Sequence, residues 1–255
     1  MPDENGNATP VSPTARKRSE RTEAKFYEDV EKIIAEAESA GTNYQPPNAN
    51  AAVERLKEKR NASLASRANI QAKNAAEETM RNDRENLFKP LEKDLTSLIA
   101  YARSAGKKPN EIAALESISR KIKGIRAEAI EENDGNRHIS VSNRAYVSRT
   151  DNYAQFIEQY EALNIPATDD FYKVSTHRTK LAAYQAANNA VITAEAQANA
   201  AQTEYDQITY LAEDSLINGC ISAKEYLRSK FKDTHYKNIA KTRFEIPSRL
   251  RKKKN

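Results

Sequence analysis

The chain has 255 residues, of which 38% are apolar and 30% charged, with six glycines, two methionines and no tryptophan. Helix-forming residues are abundant and β-branched runs are rare, so this composition argues against a β-rich fold and predicts an all-α one. The apolar residues are few for this length, which favours long helices in an elongated antiparallel bundle over a compact globule.

The net charge of +5 is concentrated in a C-terminal tail. From Lys237 onward the chain has eight cationic side chains and one acidic side chain, a charge of +7, which leaves −2 for the remainder. A domain that grips phosphates normally carries its positive charge on a folded face. The tail is therefore the candidate for nucleic-acid contact, through Arg249, Arg251, Lys252, Lys253 and Lys254.

The cellular compartment is predicted from three features of the sequence. Cys220 is the single cysteine, so the chain forms no intrachain disulfide and a reducing compartment is the default. The first 21 residues contain no apolar stretch of the kind that a secretory signal needs. No segment approaches the roughly 18 to 20 apolar residues that span a bilayer. We therefore expect a cytoplasmic protein without a transmembrane segment.

In chain order, residues 1–20 mix proline, glycine, asparagine and charges, which predicts a disordered segment. A first helical unit is expected over 21–131. It contains a short helix that Gly41 ends, a Pro46–Pro47 linker, a long helix to Phe88 and two shorter helices.

The stretch EENDGNRH interrupts the helical pattern, so residues 132–141 are predicted to be a linker. A second helical unit, expected over 142–247, repeats the order of short helix, proline-containing linker, long helix and short helices. Residues 248–255 are predicted to be a disordered basic tail.

Two similar stretches, YARSAGKKP at 101–109 and YLRSKFKDT at 226–234, lie 125 residues apart. An ungapped shift of 125 residues gives 11 identities over 49 positions, four of them alanine. This favours an internal duplication of two helical units, although alanine-rich helices share some identities by chance. Each Tyr-x-Arg-Ser is predicted to lie in the last turn of a helix, where a cation interacts favourably with the helix dipole. The alternative is a pair of related ligand sites.

The second long helix carries a half-formed heptad pattern along residues 174–212. One edge is apolar throughout, whereas the other becomes polar after Leu181. A two-stranded coiled coil would keep both edges apolar, so a bundle helix is favoured.

Residues that could support catalysis or bind a cofactor do not converge in the sequence. His138, His177 and His235 have no metal-ligand spacing to a cysteine, aspartate or glutamate. Cys220 follows a glycine and matches no nucleophile motif, so a small buried apolar role is expected. No catalytic residue, metal site or cofactor is predicted.

Four stretches of the second unit are similar to a family of bacterial all-helical proteins that has no established activity. They are NYAQFIEQYEAL, NNAVITAEAQANAAQTEYDQITY, AKEYLRSKF and YKNIAKTRF. The resemblance rests on a Tyr-x-(Lys/Arg)-Ser-x-Phe turn at Tyr226–Phe231, on Tyr236-Lys237 and on Arg243-Phe244. The chain departs from the family pattern at Lys232, where a glycine is expected. The resemblance implies an all-helical architecture and transfers no catalytic residue, cofactor or substrate.

These observations favour a non-enzymatic scaffold or interaction protein whose partner is unknown. The alternative is a nucleic-acid-associated protein that uses its tail for phosphate contacts without sequence preference. A weak homodimer is also expected, for two reasons. Phe26, Ile33, Phe156 and Tyr160 lie on short helices that could leave exposed apolar edges, and the long helix has an apolar end at Val174, Leu181 and Tyr184.

Overall fold

The computed structural model describes residues 14–124, 145–244 and 246–250, and within them it contains helices and no strand. The all-α prediction is therefore confirmed. The α-helices are α1 (Thr14–Ser39), α2 (Val53–Phe88), α3 (Leu91–Ser104), α4 (Pro109–Lys123), α5 (Tyr146–Ala162), α6 (Val174–Asp206), α7 (Leu216–Lys230) and α8 (His235–Ile239). A π-helical turn, Gln207–Leu211, extends α6, and single 3-10 turns lie at Gly41–Asn43, Ala49–Ala51, Asp170–Tyr172 and Ser248–Leu250.

Local sequence signals account for several helix ends. Gly41 has a φ of 56° and follows α1, and Gly124 has a φ of 67° and caps α4, so both occupy the left-handed region that glycine adopts without strain. Pro109 lies at the first position of α4, where its missing N–H costs no hydrogen bond. α1 begins at Thr14, earlier than the predicted start at residue 21.

The chain forms two compact units that are not consecutive in sequence. Unit 1 comprises Met1–Gln71 and Ala200–Asn255, and unit 2 comprises Ala72–Asn199. This division differs from the predicted boundaries at 21–131 and 142–247, because it falls inside α2 and α6. α2 has 36 residues, which at 1.5 Å per residue is roughly 50 Å, longer than one small core. The predicted linker at 132–141 lies outside the described residues.

Unit 1 has its own apolar core. α1 contributes one face to it, including Val30 and Ile33, and packs against α7 and α8. The end of α6 and the π-helical turn supply Tyr205 and Tyr210. The core thus joins the first helix of the chain to the last ones.

The core of unit 2 is assembled in the same manner. α4 packs against α5 and α3, and the end of α2 contributes Phe88 while the start of α6 contributes Tyr184. The Phe88 and Tyr184 rings stack with centroids 4.3 Å apart. The predicted apolar face of α3 is correct, since its members are fully or almost fully buried; they are Leu91, Leu95, Leu98 and Ala102.

The residues on which the expected homodimer depended are used within these cores. Phe26, Ile33, Phe156 and Tyr160 are at most 7% exposed, and Tyr184 is 1% exposed. Val174 and Leu181 are partly buried against the core of unit 2. The apolar edges proposed for self-association are therefore covered within single units.

We expect the two halves of the chain to stay together when the connection between α4 and α5 is cut. Each core contains helices from both halves, so neither half can bury its apolar face alone. The measurement is size-exclusion chromatography of full-length protein with a protease site inserted after Asp134, before and after cleavage. The cleaved protein should elute unchanged and separate only in denaturant. Two separated, folded fragments in native buffer would instead support consecutive domains.

A second expectation concerns Gly219 on α7, which packs against the Ala49–Ala51 turn. A Cβ atom there would lie 2.7 Å from the carbonyl oxygen of Asn50 and 2.9 Å from Cδ2 of Leu56. Alanine favours a helix by about 1 kcal/mol over glycine, but overpacking typically costs about 1 to 3 kcal/mol. Gly219→Ala should therefore lower the free energy of unfolding.

Urea denaturation of Gly219→Ala measures this effect. Ile221→Ala is the matched control, because Ile221 lies on the same helix with 43% of its surface exposed, and it should change stability less. A Gly219→Ala protein as stable as the wild type would show that the backbone of the Ala49–Ala51 turn yields at little cost.

Candidate functional sites: the Tyr-x-Arg-Ser turns and the C-terminal segment

Both Tyr-x-Arg-Ser sequences lie at helix C-termini, as predicted. Tyr101–Ser104 ends α3, and Tyr226–Ser229 lies in the last turns of α7. In both, the serine hydroxyl donates a hydrogen bond to the carbonyl oxygen of the tyrosine, at 2.7 Å for Ser104 and 2.9 Å for Ser229. The serine hydroxyl of the first motif thus adds a second hydrogen bond to the Tyr101 carbonyl, which also accepts the backbone N–H of Ala105 at 3.0 Å.

Each tyrosine hydroxyl reaches the linker that precedes a long helix. Tyr101 donates to the carbonyl oxygen of Pro166 at 2.8 Å, in unit 2. In unit 1, the backbone N–H of Gln45 donates to the Tyr226 hydroxyl at 3.2 Å. Desolvation acts to raise the pKa of Tyr226, but hydrogen bonds from Lys230 and Gln45 bring it below its ordinary value.

The two tyrosine rings also contact an aromatic side chain of the same linker. Tyr101 stacks on Tyr172 with centroids 3.9 Å apart, and Tyr226 meets Tyr44 edge-on at 5.3 Å. Linker, helix end and ring contact thus recur in both units. This geometry agrees with the structural interpretation of the motif, which fixes a linker onto a helix end.

The arginines of the two motifs point to the surface. Arg103 forms an ion pair with Glu116, and Arg228 lies 3.6 Å from Glu225. Both side chains are about three-fifths exposed, at 60% and 61%. Ion pairs at such exposure contribute little to stability, so neither arginine is a structural anchor.

Two ionic contacts occur within each unit at the same positions of its long helix, counted from the first helical residue. The fifth residue of α2, Lys57, pairs with Glu38 at 2.5 Å, and the fifth residue of α6, Arg178, pairs with Glu161 at 2.5 Å. The seventh residues behave alike: Lys59 pairs with Asp214 at 2.5 Å, and Lys180 with Asp94 at 2.6 Å. Each long helix therefore begins with one cation bound to the helix before it and a second bound at the start of the helix that follows the other long helix.

The helix starts also correct the alignment on which the duplication was predicted. α2 and α6 begin 121 residues apart, whereas α3 and α7 begin 125 apart, because the segment from Gln207 to Ser215 is longer than its counterpart. The ungapped shift of 125 therefore pairs Leu56 with Leu181, although Leu56 lies in the first turn of α2 and Leu181 in the third turn of α6. The identities along the long helices do not join equivalent positions. The internal duplication stays a prediction.

A buried hydroxyl network in unit 1 was not visible in the sequence. Ser63 of α2 hydrogen-bonds both the Tyr27 hydroxyl and the Thr209 hydroxyl, each at 2.7 Å. Tyr205 donates to Glu23 at 2.8 Å. Serine, threonine and tyrosine usually lie on solvated helix faces, so their periodicity gave no signal. Thr209 sits in the π-helical turn, an element that occurs often at functional sites.

His177 is 1% exposed in unit 2. Its Nε2 donates to the carbonyl oxygen of Phe171 at 2.6 Å, since a carbonyl only accepts. Its Nδ1 is therefore free to accept the Tyr153 hydroxyl at 2.8 Å. Burial lowers the pKa of His177, partly opposed by the bond to Phe171, so the neutral ring is favoured. The ring fastens the linker to α5.

The structure also shows the surroundings of the other candidate side chains that lie within the described residues. Cys220 is fully buried, as predicted, and burial raises the pKa of its thiol far above the ordinary value. His235 lies 3.0 Å from Glu36 and fastens α8 to α1. His138 lies outside the described residues. Within the described residues, no group of three or more histidine, cysteine, aspartate or glutamate side chains could hold a metal ion.

Of the five cations proposed to bind nucleic acid, the structure describes Arg249 alone. Its guanidinium forms an ion pair with Asp206, whose side chain is 9% exposed. Residues 251–254 lie outside the described part of the chain. No helix in the described ranges is long and apolar enough to cross a membrane.

A shallow pocket of about 420 Å³ lies beside the first linker of unit 1. Its two carboxylates belong to Glu38, which pairs with Lys57, and to the exposed Glu54. Its lining residues are Ala37, Glu38, Gly41, Tyr44, Pro46, Ala52, Val53 and Glu54. No set of polar groups converges there, so the pocket indicates no ligand class.

Comparisons of the chain with models of protein families, with curated proteins and with solved structures find no significant match. The resemblance based on the Tyr226–Phe231 turn therefore stays a prediction.

We expect acid to destabilise the protein in part through His177. Its pKa is lower in the folded state than the value of about 6.5 in the unfolded chain. Below that pH the unfolded state binds more protons, so stability present above pH 6.5 is lost as the pH falls towards the folded-state pKa. His177→Gln can keep both hydrogen bonds and removes this titration.

The measurement is the urea midpoint at pH 7.5 and pH 5.0. The wild type should lose more stability than His177→Gln between these values. His235→Gln, which changes a partly exposed histidine in an ion pair, is the control and should retain the loss that His177 causes. Equal losses in the wild type and His177→Gln would contradict the prediction.

Proposed function

We propose that this chain is a non-enzymatic helical scaffold or interaction protein. The observation that carries the proposal is the use of its chemically capable buried side chains. His177 holds a linker to α5, Asp94 binds Lys180, and Cys220 is packed in the core of unit 1. Each of these groups already has a role in joining helices, which supports a structural protein more than a catalyst.

The surface offers several apolar side chains for contact with a partner. Single exposed apolar residues are common in monomers, so they serve here as test positions. In unit 1, Leu64 is 40% exposed and Leu211 is 44% exposed; in unit 2, Val147 is 52% exposed and Ile192 is 54% exposed. Substituting them should leave the cores intact.

The compartment belongs to the same proposal. A chain with one cysteine, itself buried, suits a reducing environment, and we propose a cytoplasmic location on that basis.

The alternative hypothesis, nucleic-acid binding through the tail, now rests on residues 251–254. Arg249 is paired with a buried carboxylate, and a phosphate would have to compete with that contact. No feature of the described residues favours this alternative over the scaffold.

We expect a partner captured by the wild-type protein from its native cell extract to be lost when exposed apolar side chains are replaced. The test compares Leu64→Gln/Leu211→Gln and Val147→Gln/Ile192→Gln with the wild type by quantitative pull-down. Circular dichroism should show unchanged helicity in both variants. Leu87→Gln, at a residue 37% exposed, is a matched single control.

The enzyme alternative is tested in parallel with panels of nucleotide, acyl and phosphate substrates. The proposal predicts no turnover. Reproducible turnover that a single substitution abolishes would overturn it, as would retention of every captured protein by both double variants.

A further inference from the structure

The last described residues, 246–250, lie on unit 1. Arg249 forms the ion pair with Asp206, and Leu250 packs against the core of unit 1. Just before them, the Phe244 ring meets Phe26 edge-on with centroids 6.1 Å apart. An arginine and a leucine of the segment thus contact unit 1.

Asp206 requires a cation. Its side chain is 9% exposed, and besides Arg249 it accepts a hydrogen bond from Gln202 at 3.0 Å. A neutral amide does not balance a buried carboxylate, and leaving such a charge unpaired costs far more than an exposed one. Arg249 is close enough to Tyr210 to act on its pKa, which it lowers against the larger upward effect of burial. The guanidinium therefore supplies the charge that balances the Asp206 carboxylate.

The segment that supplies this cation is short and partly exposed. The Arg249 side chain is 50% exposed, Ile246 is 39% exposed, and the segment forms a single 3-10 turn. Short, exposed terminal elements open locally at a small fraction of the global unfolding free energy. Each opening takes the cation away from Asp206, and another positively charged segment would stabilise the carboxylate in that state.

We propose that Asp206 and the adjoining part of the unit 1 core, termed the Asp206 surface, dock a peptide segment that carries an arginine next to an apolar residue. The chain's own residues 246–250 occupy it in cis. The inference rests on the proposed interaction function, for which it names a partner class. Charge complementarity decides the class, because the buried carboxylate attracts a guanidinium and repels an acidic peptide or a phosphate.

The test uses full-length protein and a fluorescent peptide with the sequence EIPSRL, identical to residues 245–250. Fluorescence anisotropy gives the apparent Kd. In Arg249→Ala the peptide should bind about tenfold tighter than to the wild type, because a cis segment docked nine-tenths of the time raises the apparent Kd by about that factor. The double variant Arg249→Ala/Asp206→Asn should not show this tighter peptide binding. A peptide with alanine in place of arginine should not bind.

A second variant keeps the inference testable if Arg249→Ala fails to fold. Leu250→Ser retains Arg249 and loosens the segment, so it should also bind the peptide more tightly than the wild type does. Folded Arg249→Ala and Leu250→Ser proteins that bind no more tightly than the wild type would overturn the inference. So would binding that Asp206→Asn leaves unchanged.

A second copy of the chain is another possible source of the segment. A wild-type dimer in sedimentation experiments that Asp206→Asn abolishes would support the docking surface, with the tail of one copy on another. Failure of the peptide test leaves the scaffold proposal standing if the pull-down partner still depends on Leu64 and Leu211. Catalytic turnover, in contrast, would remove the scaffold proposal and leave the peptide result to be judged by itself.

Discussion

The packing of helices from one half of the chain against helices from the other half is the constraint on which this structure depends. α1 contacts α7 and α8, nearly 200 residues later in the sequence, and α5 contacts α4 across residues 125–144. Neither α1 nor α5 can bury its apolar face within its own half. Closing contacts over such sequence separations costs loop entropy before any burial compensates for it, so formation of the unit 1 core must wait for almost the whole chain.

Local features of the fold could be predicted from sequence because they depend on local chemistry. Glycine and proline mark the ends and starts of helices, and the three-to-four spacing of Leu91, Leu95 and Leu98 identifies a buried face. The choice of partner for that face could not be predicted, since periodicity shows that a stripe is buried but not what covers it. The consecutive domains at 21–131 and 142–247 assumed neighbours in sequence to be neighbours in space, and the compact units divide the chain elsewhere.

The candidate sites show the same difference between local features, which could be predicted, and distant contacts, which could not. That Tyr-x-Arg-Ser ends two helices followed from the sequence, whereas the linkers that Tyr101 and Tyr226 contact became clear only from the structure. Arg249 was grouped with the tail because it lies among cations, yet a carboxylate 43 residues earlier is its partner. The hydroxyl network of Ser63 was missed for a different reason, since polar side chains in a helix are read as solvated unless a partner is known.

The two long helices make different contacts at the same positions counted from their first residues. Ser63 and Tyr184 are the eleventh residues of α2 and α6, and Thr209 and Phe88 are the thirty-sixth residues counted from the same helix starts. In unit 2, Tyr184 stacks on Phe88, an aromatic contact that needs no hydrogen-bond partner. In unit 1 the same positions hold two hydroxyls that are stable only while both are bonded.

The ring contact of unit 2 and the hydroxyl contact of unit 1 differ in how they respond to a small displacement. Aromatic packing weakens gradually as rings move apart, whereas a buried hydroxyl that loses its partner carries its full desolvation cost. Unit 1 combines this less tolerant contact with the π-helical turn and with the buried Asp206 that Arg249 neutralises. A shift of the end of α6 would therefore disturb the hydroxyl network and the C-terminal ion pair together. In unit 1 the end of α6 therefore connects the buried hydroxyl network to the surface on which Arg249 lies.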